Sequence, residues 1–374
     1  MKEIIVLGTG ILGAATAFEM TKKNYKVTMI DSHEQGRATS AGAGIISPWV
    51  NQRRNKAWYT LAKNGAAHYK DLINELNEHG EVNTGYKQNG ALHLHTNMDV
   101  LEKLKNIALK KREDAPEIGD VKILTNEETL AKFPLINENF SSVYVSGGAR
   151  IDGAALKDAL INSAMRKGAT YIEGLASLHV KGNKVLGAKI NGEVLLADTT
   201  VVTNGVWMPE TLSPLNIHLN ISMQKGQLIH LYSDVLASGN FPVVTPPRDP
   251  YIVPFDDGRV VVGATREDNA TFDPSMTVGG VHEVLNKVLE IAPKFSESPI
   301  VEVRTGFRPF TKTFVPIFGS VPDYDRLYIA NGLGASGLTT GPYIGKILAD
   351  MVASEDVEID CALYRVDEHV EKIK

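Results

Sequence analysis

Cysteine is almost missing from this chain of 374 residues: Cys361 is the only one, so no intrachain disulfide and no cysteine metal cluster can form. Stability must come from a buried apolar core, and the length suits about two domains. Excess positive charge is missing too. The 39 Lys and Arg against 44 Asp and Glu leave a net charge of −5, without the concentrated basic face that a polyanion requires, so no nucleic-acid partner is expected. One local basic group, Arg53, Arg54 and Lys56, reads as a solvated loop or helix start. No apolar run reaches the ~18 residues of a membrane span, and the start at Ile4 runs into glycines without the basic leader of a signal peptide. The expectation is a soluble, cytoplasmic protein with no integral membrane segment; these features leave the oligomeric state open. Repeats and low-complexity linkers are also lacking, so a second domain should be interleaved with the first.

What is present begins at the N-terminus. Ile4-Ile5-Val6-Leu7 and Val27-Thr28-Met29-Ile30 are short apolar runs suited to strands buried on both faces. Between them Ala14, Ala15 and Ala17 allow a helix to lie close to the sheet, giving a βαβ unit. The loop after the first run holds Gly8, Gly10, Ile11, Leu12 and Gly13 in a G-x-G-x-x-G pattern. The first glycine permits a tight turn, the second lets a pyrophosphate approach the backbone, and the third packs helix on strand. Asp31, with Ser32 after it, closes the second run where a carboxylate can accept from a ribose. Dinucleotide binding follows, and Asp31 alone does not separate NAD from FAD. A second glycine-rich stretch, RATSAGAGIISP from Arg37 to Pro48, supplies a further backbone-dense cradle and favours FAD.

Helical spacing of Trp58, Leu61, Ala62, Tyr69, Leu72, Ile73 and Leu76 predicts a long amphipathic helix ending near His79-Gly80. Asp152 reads as the N-cap of another that stops at Gly168. Val201-Val202 and Val260 to Val262 read as strands. Ile344, Ile347, Leu348, Met351 and Val352 form a helical stripe in which Pro342 is tolerable only near the helix start. Met20, Met29 and Met351 read as gap-fillers of the core. His93 and His95 place two imidazoles on one strand face, but without a third ligand no metal is expected.

Together with the βαβ unit and RATSAGAGIISP, the stretches VVTNGVWMP (Val201 to Pro209), KGQL (at Lys225), YIVPFDDGRVVVGAT (at Tyr251), GFRPFT (at Gly306) and NGLGASGLTTGP (at Asn331) resemble the D-amino-acid oxidase-like FAD-dependent oxidoreductases. The resemblance runs nearly end to end and is nearest to the glycine oxidase, sarcosine oxidase and D-amino-acid dehydrogenase branches. It implies an α/β protein: a Rossmann-like FAD-binding domain from residues 1–84, 147–215 and 307–374, interleaved with an α+β substrate domain from 85–146 and 216–306 that contains an antiparallel sheet. It also implies that Thr39, Ser40, Gly44 and Ile45 lie along the pyrophosphate and flavin ring, that Val180 meets the adenine through its backbone, and that Gly205 with Trp207 closes the groove. Gly332, Gly334, Ser336, Gly337 and Leu338 would bring a helix N-terminus to the flavin, where its partial positive charge favours the reduced form.

In the same way Arg308 would grip a substrate carboxylate, with the Tyr251 hydroxyl beside it. An arginine fork suits that task, and Pro309 fixes the backbone next to it, although a structural salt bridge is the alternative. Arg304 stands where relatives often carry tryptophan, and its even spacing places it on the same strand face as Arg308. Leu333 and Ala335 stand where several relatives have histidine and arginine, and no residue matches a covalent flavin link. The implied function is oxidation of the C–N bond of an amino acid or secondary amine by hydride transfer to flavin N5, giving an imine that hydrolyses to an oxo acid and ammonia or amine. Two alternatives stay open: an NAD(P)-dependent dehydrogenase, suggested by Asp31, and a flavin-binding protein with lost catalysis, suggested by Leu333 and Ala335.

Overall fold

A computed structural model describes residues 1–50, 55–237, 239–248, 250–268 and 270–372. Arg53 and Arg54 lie outside the described residues, and Lys56 opens a helix.

The apolar run at the N-terminus forms the strand Glu3–Leu7, at the centre of a six-stranded sheet. Its parallel neighbours are Thr199–Val202 and Lys26–Asp31, with Ile4 opposite Thr199 on one side and Val27 on the other. Ile4 and Val6 face one core and Ile5 and Leu7 a second, so both faces of the strand are buried. The first face is covered by the helices Ile11–Lys22, Lys56–Glu78, Gly153–Arg166 and Gly337–Ala353. Small residues allow the close approach: a Cβ on Gly345 would lie 2.7 Å from the Cβ of Ala15. The second face is covered by the three-stranded sheet Ala176–Lys181, Lys184–Ile190 and Glu193–Leu196.

A nine-stranded sheet makes up the other half. Its pairs are antiparallel except where Val243–Thr245 runs parallel to Ala91–His95. Strands of the six-stranded sheet come from the segments expected for the dinucleotide fold, and those of the nine-stranded sheet from the other two. One element crosses: Ile300–Thr311 is a continuous strand paired along Ile221–Tyr232, so the boundary expected at 306/307 falls inside it. This continuity carries Arg308 to the seam between the sheets.

Asp152 caps Gly153–Arg166, its Oδ1 accepting from Ala154 N and Ala155 N at 3.0 and 3.1 Å. Its Oδ2 accepts from Arg259 Nη2 at 2.6 Å, which ties the dinucleotide fold to the nine-stranded sheet. Pro342 sits in the second turn of Gly337–Ala353 instead of at its start. Proline has no N–H for the carbonyl four residues back. That carbonyl, of Leu338, accepts from the buried Tyr69 hydroxyl of the long helix, which replaces the missing bond.

Candidate active site

A cavity of about 980 Å³ lies at the seam, lined by three glycine-bearing loops and one wall of the nine-stranded sheet. The first loop is shaped as its glycines require. Gly8 has φ +86°, and a Cβ there would lie 2.5 Å from Asn204 Cα; one on Gly13 would lie 1.9 Å from Gly8 O. Asp31 fixes the turn: its Oδ2 accepts from Thr9 N at 2.7 Å and from Thr9 Oγ1 at 2.8 Å, and its Oδ1 from His33 N. Burial opposes ionisation of Asp31, but these hydrogen bonds and the Arg37 charge outweigh it and hold the carboxyl below its ordinary value.

The second loop is fastened to the first by Ile11 N, which donates to Thr39 Oγ1 at 3.0 Å. Gly44 has φ +86°, and a Cβ there would lie 1.8 Å from Ile151 O. Arg304 donates from Nη1 to Ser40 O at 2.9 Å and pairs with Glu302 at 2.8 Å. Arg304 therefore braces the loop from behind, while Arg308 lines the cavity and Arg304 does not.

In the third loop Trp58 Nε1 donates to Ser336 Oγ at 3.0 Å, and Thr339 Oγ1 to Ile45 O at 3.2 Å. Leu333, Gly334, Ala335, Gly337 and Leu338 line the cavity, so the helix Gly337–Ala353 opens onto it.

The wall carries side chains. Arg308 Nη1 donates to Gln224 Oε1 at 3.0 Å and to Thr265 O at 3.4 Å. Its guanidinium lies over Gly226, where a Cβ would come within 2.5 Å of Nη2. Tyr251, half-buried and opposite Gly263 in register, lines the same cavity. Gln227, buried in the KGQL stretch, donates from N to Thr265 Oγ1 at 2.9 Å and from Nε2 to Glu267 Oε1 at 2.7 Å, and its Oε1 accepts from Thr277 N at 2.8 Å. Buried Lys225 donates to Ser275 O at 2.7 Å, next to Pro274, which with Phe272 borders the cavity. Trp207, Phe272 and Phe307 pack ring against ring there, with centroids 6.0 to 6.5 Å apart. The sequence assigns no role to Gly226, Gln224, Gln227 or Thr265; KGQL contains Gly226 and Gln227, Thr265 ends the stretch that begins at Tyr251, and Gln224 lies in neither.

Gly8, Gly10, Ile11, Leu12, Asp31, Ser32, Thr39, Ser40, Gly44, Ile45, Gly205, Trp207, Tyr251 and Arg308 are all brought to this one cavity. Gly13, Gly332 and Ser336 stand behind its lining. Val180 is elsewhere: it pairs with Val185 within the three-stranded sheet and packs on the second core. The cavity edge is formed instead by Gly174 to Ser177, where that hairpin begins. Val180 lies three residues beyond Ser177, a displacement of roughly 10 Å along a strand. His93 faces Ser47 Oγ at 3.3 Å, and burial pushes its imidazole down to about 4. Among the described residues no group of three or more His, Cys, Asp or Glu could hold a metal ion, and no helix is long and apolar enough to cross a membrane.

The residues present fit an extended dinucleotide such as FAD. Two backbone cradles, each with a glycine whose Cβ would strike another backbone atom, leave the main chain bare for phosphate and ring, and a helix N-terminus faces the same space.

A family model described as FAD dependent oxidoreductase, DAO, matches residues 3–351. The chain is 48% identical to the uncharacterized oxidoreductase YurR of Bacillus subtilis, over 97% of this chain and 98% of that protein. It is 28% identical to glycine oxidase of Pseudomonas putida, again over 97% and 98%. The crystal structure of iminodiacetate oxidase (IdaA) from Chelativorans sp. BNC1 matches with a TM-score of 0.94 at 38% identity, covering 97% of this chain and 98% of that one.

Proposed function

The chain belongs to the FAD dependent oxidoreductase (DAO) family, and from that premise we propose that it oxidises the C–N bond of an amino acid or secondary amine held by its carboxylate on Arg308. The observation that carries this reading is one of place: the dinucleotide loops and the Arg308 guanidinium line a single cavity. The family is flavin-dependent, which removes the nicotinamide alternative. Relatives named for glycine and iminodiacetate oxidation act on carboxylate-bearing amines, which supports the substrate class.

The backbone at Gly8 to Leu12, Thr39 to Ile45 and Gly334 to Leu338 would hold FAD. When bound, FAD supplies the two-electron acceptor for the hydrogen on the carbon beside nitrogen. The protein's own task is positioning. Gln224 and Thr265 O hold Nη1 of Arg308 and turn the fork's other edge, Nε and Nη2, to the two oxygens of a carboxylate. The Tyr251 hydroxyl adds a contact beside it. Fixing the substrate in this way contributes up to roughly 7–11 kcal/mol to the rate. The substrate loses a hydride from carbon and a proton from nitrogen to form C=N, then takes up water, and the C–N bond breaks to give an oxo acid and ammonia or an amine. A substrate that binds as the neutral amine needs no protein base. The aromatic group of Trp207, Phe272 and Phe307 limits access of water from one side.

The test is anaerobic mixing of the FAD-loaded protein with D- and L-amino acids, glycine, sarcosine, proline and iminodiacetate. Bleaching of the flavin by at least one is expected; a flavin that stays yellow with all of them overturns the reading in favour of lost catalysis.

A further inference from the structure

Charge is distributed unevenly along the cavity. Among the described residues, the acidic side chains that line it, Asp31, Glu34 and Glu210, all belong to the dinucleotide-fold segments. Among the described residues, the nine-stranded sheet and its loops contribute two charged residues to the lining, and both are arginines: Arg308 and Arg266. They stand on one wall. Arg308 Nη1 touches Thr265 O at 3.4 Å, one residue before Arg266. Ala264 and Arg266 line the cavity, whereas Thr265 between them is turned into the buried contact with Gln227.

The segment that presents Arg266 is held on both sides. Thr265 N donates to Gln227 O at 3.0 Å. Glu267 accepts from Gln227 Nε2 at 2.7 Å and from Thr265 Oγ1 at 2.8 Å. Asp268 accepts from Gln224 Nε2 at 2.8 Å, the same amide whose oxygen receives Arg308. The two carboxylates that follow Arg266 in sequence are thus engaged with glutamine and threonine, and the backbone from which it extends is fixed. Arg266 is exposed at the mouth, whereas Arg308 is half-buried, so an elongated ligand gripped by Arg308 meets Arg266 on its way to solvent. A single amino-acid carboxylate needs only one of these forks.

We propose that the substrate carries a second anionic group, and that Arg266 is the specificity-determining residue that receives it: the substrate class is a diacid whose nitrogen lies between or beside two carboxylates. The assignment rests on the C–N oxidation reading above.

Two readouts test it on the FAD-loaded enzyme and its R266Q and R266K variants. The first is steady-state oxidation of iminodiacetate against sarcosine, which lacks the second carboxylate. Wild type is expected to favour the diacid in kcat/KM. R266Q raises KM for the diacid about fivefold to tenfold, because the contact is partly screened at the mouth. Its kcat and its KM for sarcosine change less than about twofold, and R266K restores most of the loss by keeping the charge. The second is calorimetric binding of two redox-inert carboxylates, glutarate and butyrate, with the same ratio expected between them and the same collapse in R266Q. No preference for the diacid in wild type, or a preference that R266Q leaves intact, overturns the assignment. Should no amine be oxidised, the reading under Proposed function fails, while glutarate against butyrate still decides Arg266 alone.

Discussion

At one end of the cavity the lining is main chain: Gly8, Gly10, Gly42 and Gly44 stand where a Cβ would strike a neighbour or crowd it. At the other end it is side chain: Arg308 and Tyr251 project from strands and Arg266 from the link between two strands, with Gln224 holding Arg308 and Gln227 holding Glu267 next to Arg266. The difference teaches how each end tolerates change. A backbone cradle has no atoms to spare, so an added methyl displaces the chain itself. A side-chain wall loses one contact at a time, and its neighbours stay where they are.

The comparison is broken most severely by Gly44→Ala. The new Cβ would lie 1.8 Å from Ile151 O at a φ of +86°, and overpacking with left-handed strain costs about 3–5 kcal/mol. The expected result is a protein with lowered Tm that retains little flavin, read from melting and from the flavin-to-protein absorbance ratio. Arg308→Met acts on the wall and should do the reverse. Its kcat/KM falls about a hundredfold or more, with flavin content and Tm close to wild type; equal loss of flavin would erase the distinction between the two ends.

Asp152→Ala strikes the seam. It removes an N-cap and the partner of Arg259 and should cost about 1–2 kcal/mol, lowering Tm without selecting either end. Burial disfavours the Asp152 carboxylate, but hydrogen bonds from Ala155 and Ala154 and the Arg259 charge outweigh this and set it below its ordinary value. The increment is therefore present above the unfolded value near 3.8 and lost as pH falls through the lower folded value. Melting curves taken from neutral pH into that acid range should converge for wild type and variant. The smallest effect belongs to Gln224→Leu, which leaves Arg308 in place without its Nη1 acceptor. KM should rise about twofold to fivefold with kcat unchanged, measured by steady-state kinetics.

The same contrast explains what the sequence disclosed. The cradle is written locally: the strand Glu3–Leu7, the turn at Gly8 and the helix from Ile11 follow one another within 22 residues, and each has its own residue signal. Asp152 and the long helix from Lys56 were legible for the same reason. The wall arises from register between distant strands. Gln224 meets Arg308 because Ile221–Tyr232 pairs with Ile300–Thr311, and no local pattern states that pairing. Nor does one state that Tyr69 supplies the hydrogen bond that Pro342 cannot. Val180, expected at the adenine from the resemblance alone, lies three positions beyond Ser177 at the cavity edge, and a position carried over onto a hairpin does not say which end of the strand touches the cavity. The boundary expected at 306/307 falls inside the strand Ile300–Thr311, because a change of partner domain needs no break in a strand.

The most direct measurement follows the flavin spectrum of FAD-loaded wild type and Arg308→Met during equilibrium titration with butyrate, which cannot be oxidised at nitrogen. One shared cavity predicts a saturable spectral change in wild type and an affinity about a hundredfold weaker in the variant. A spectrum that butyrate leaves untouched, or equal affinity in both proteins, would contradict it.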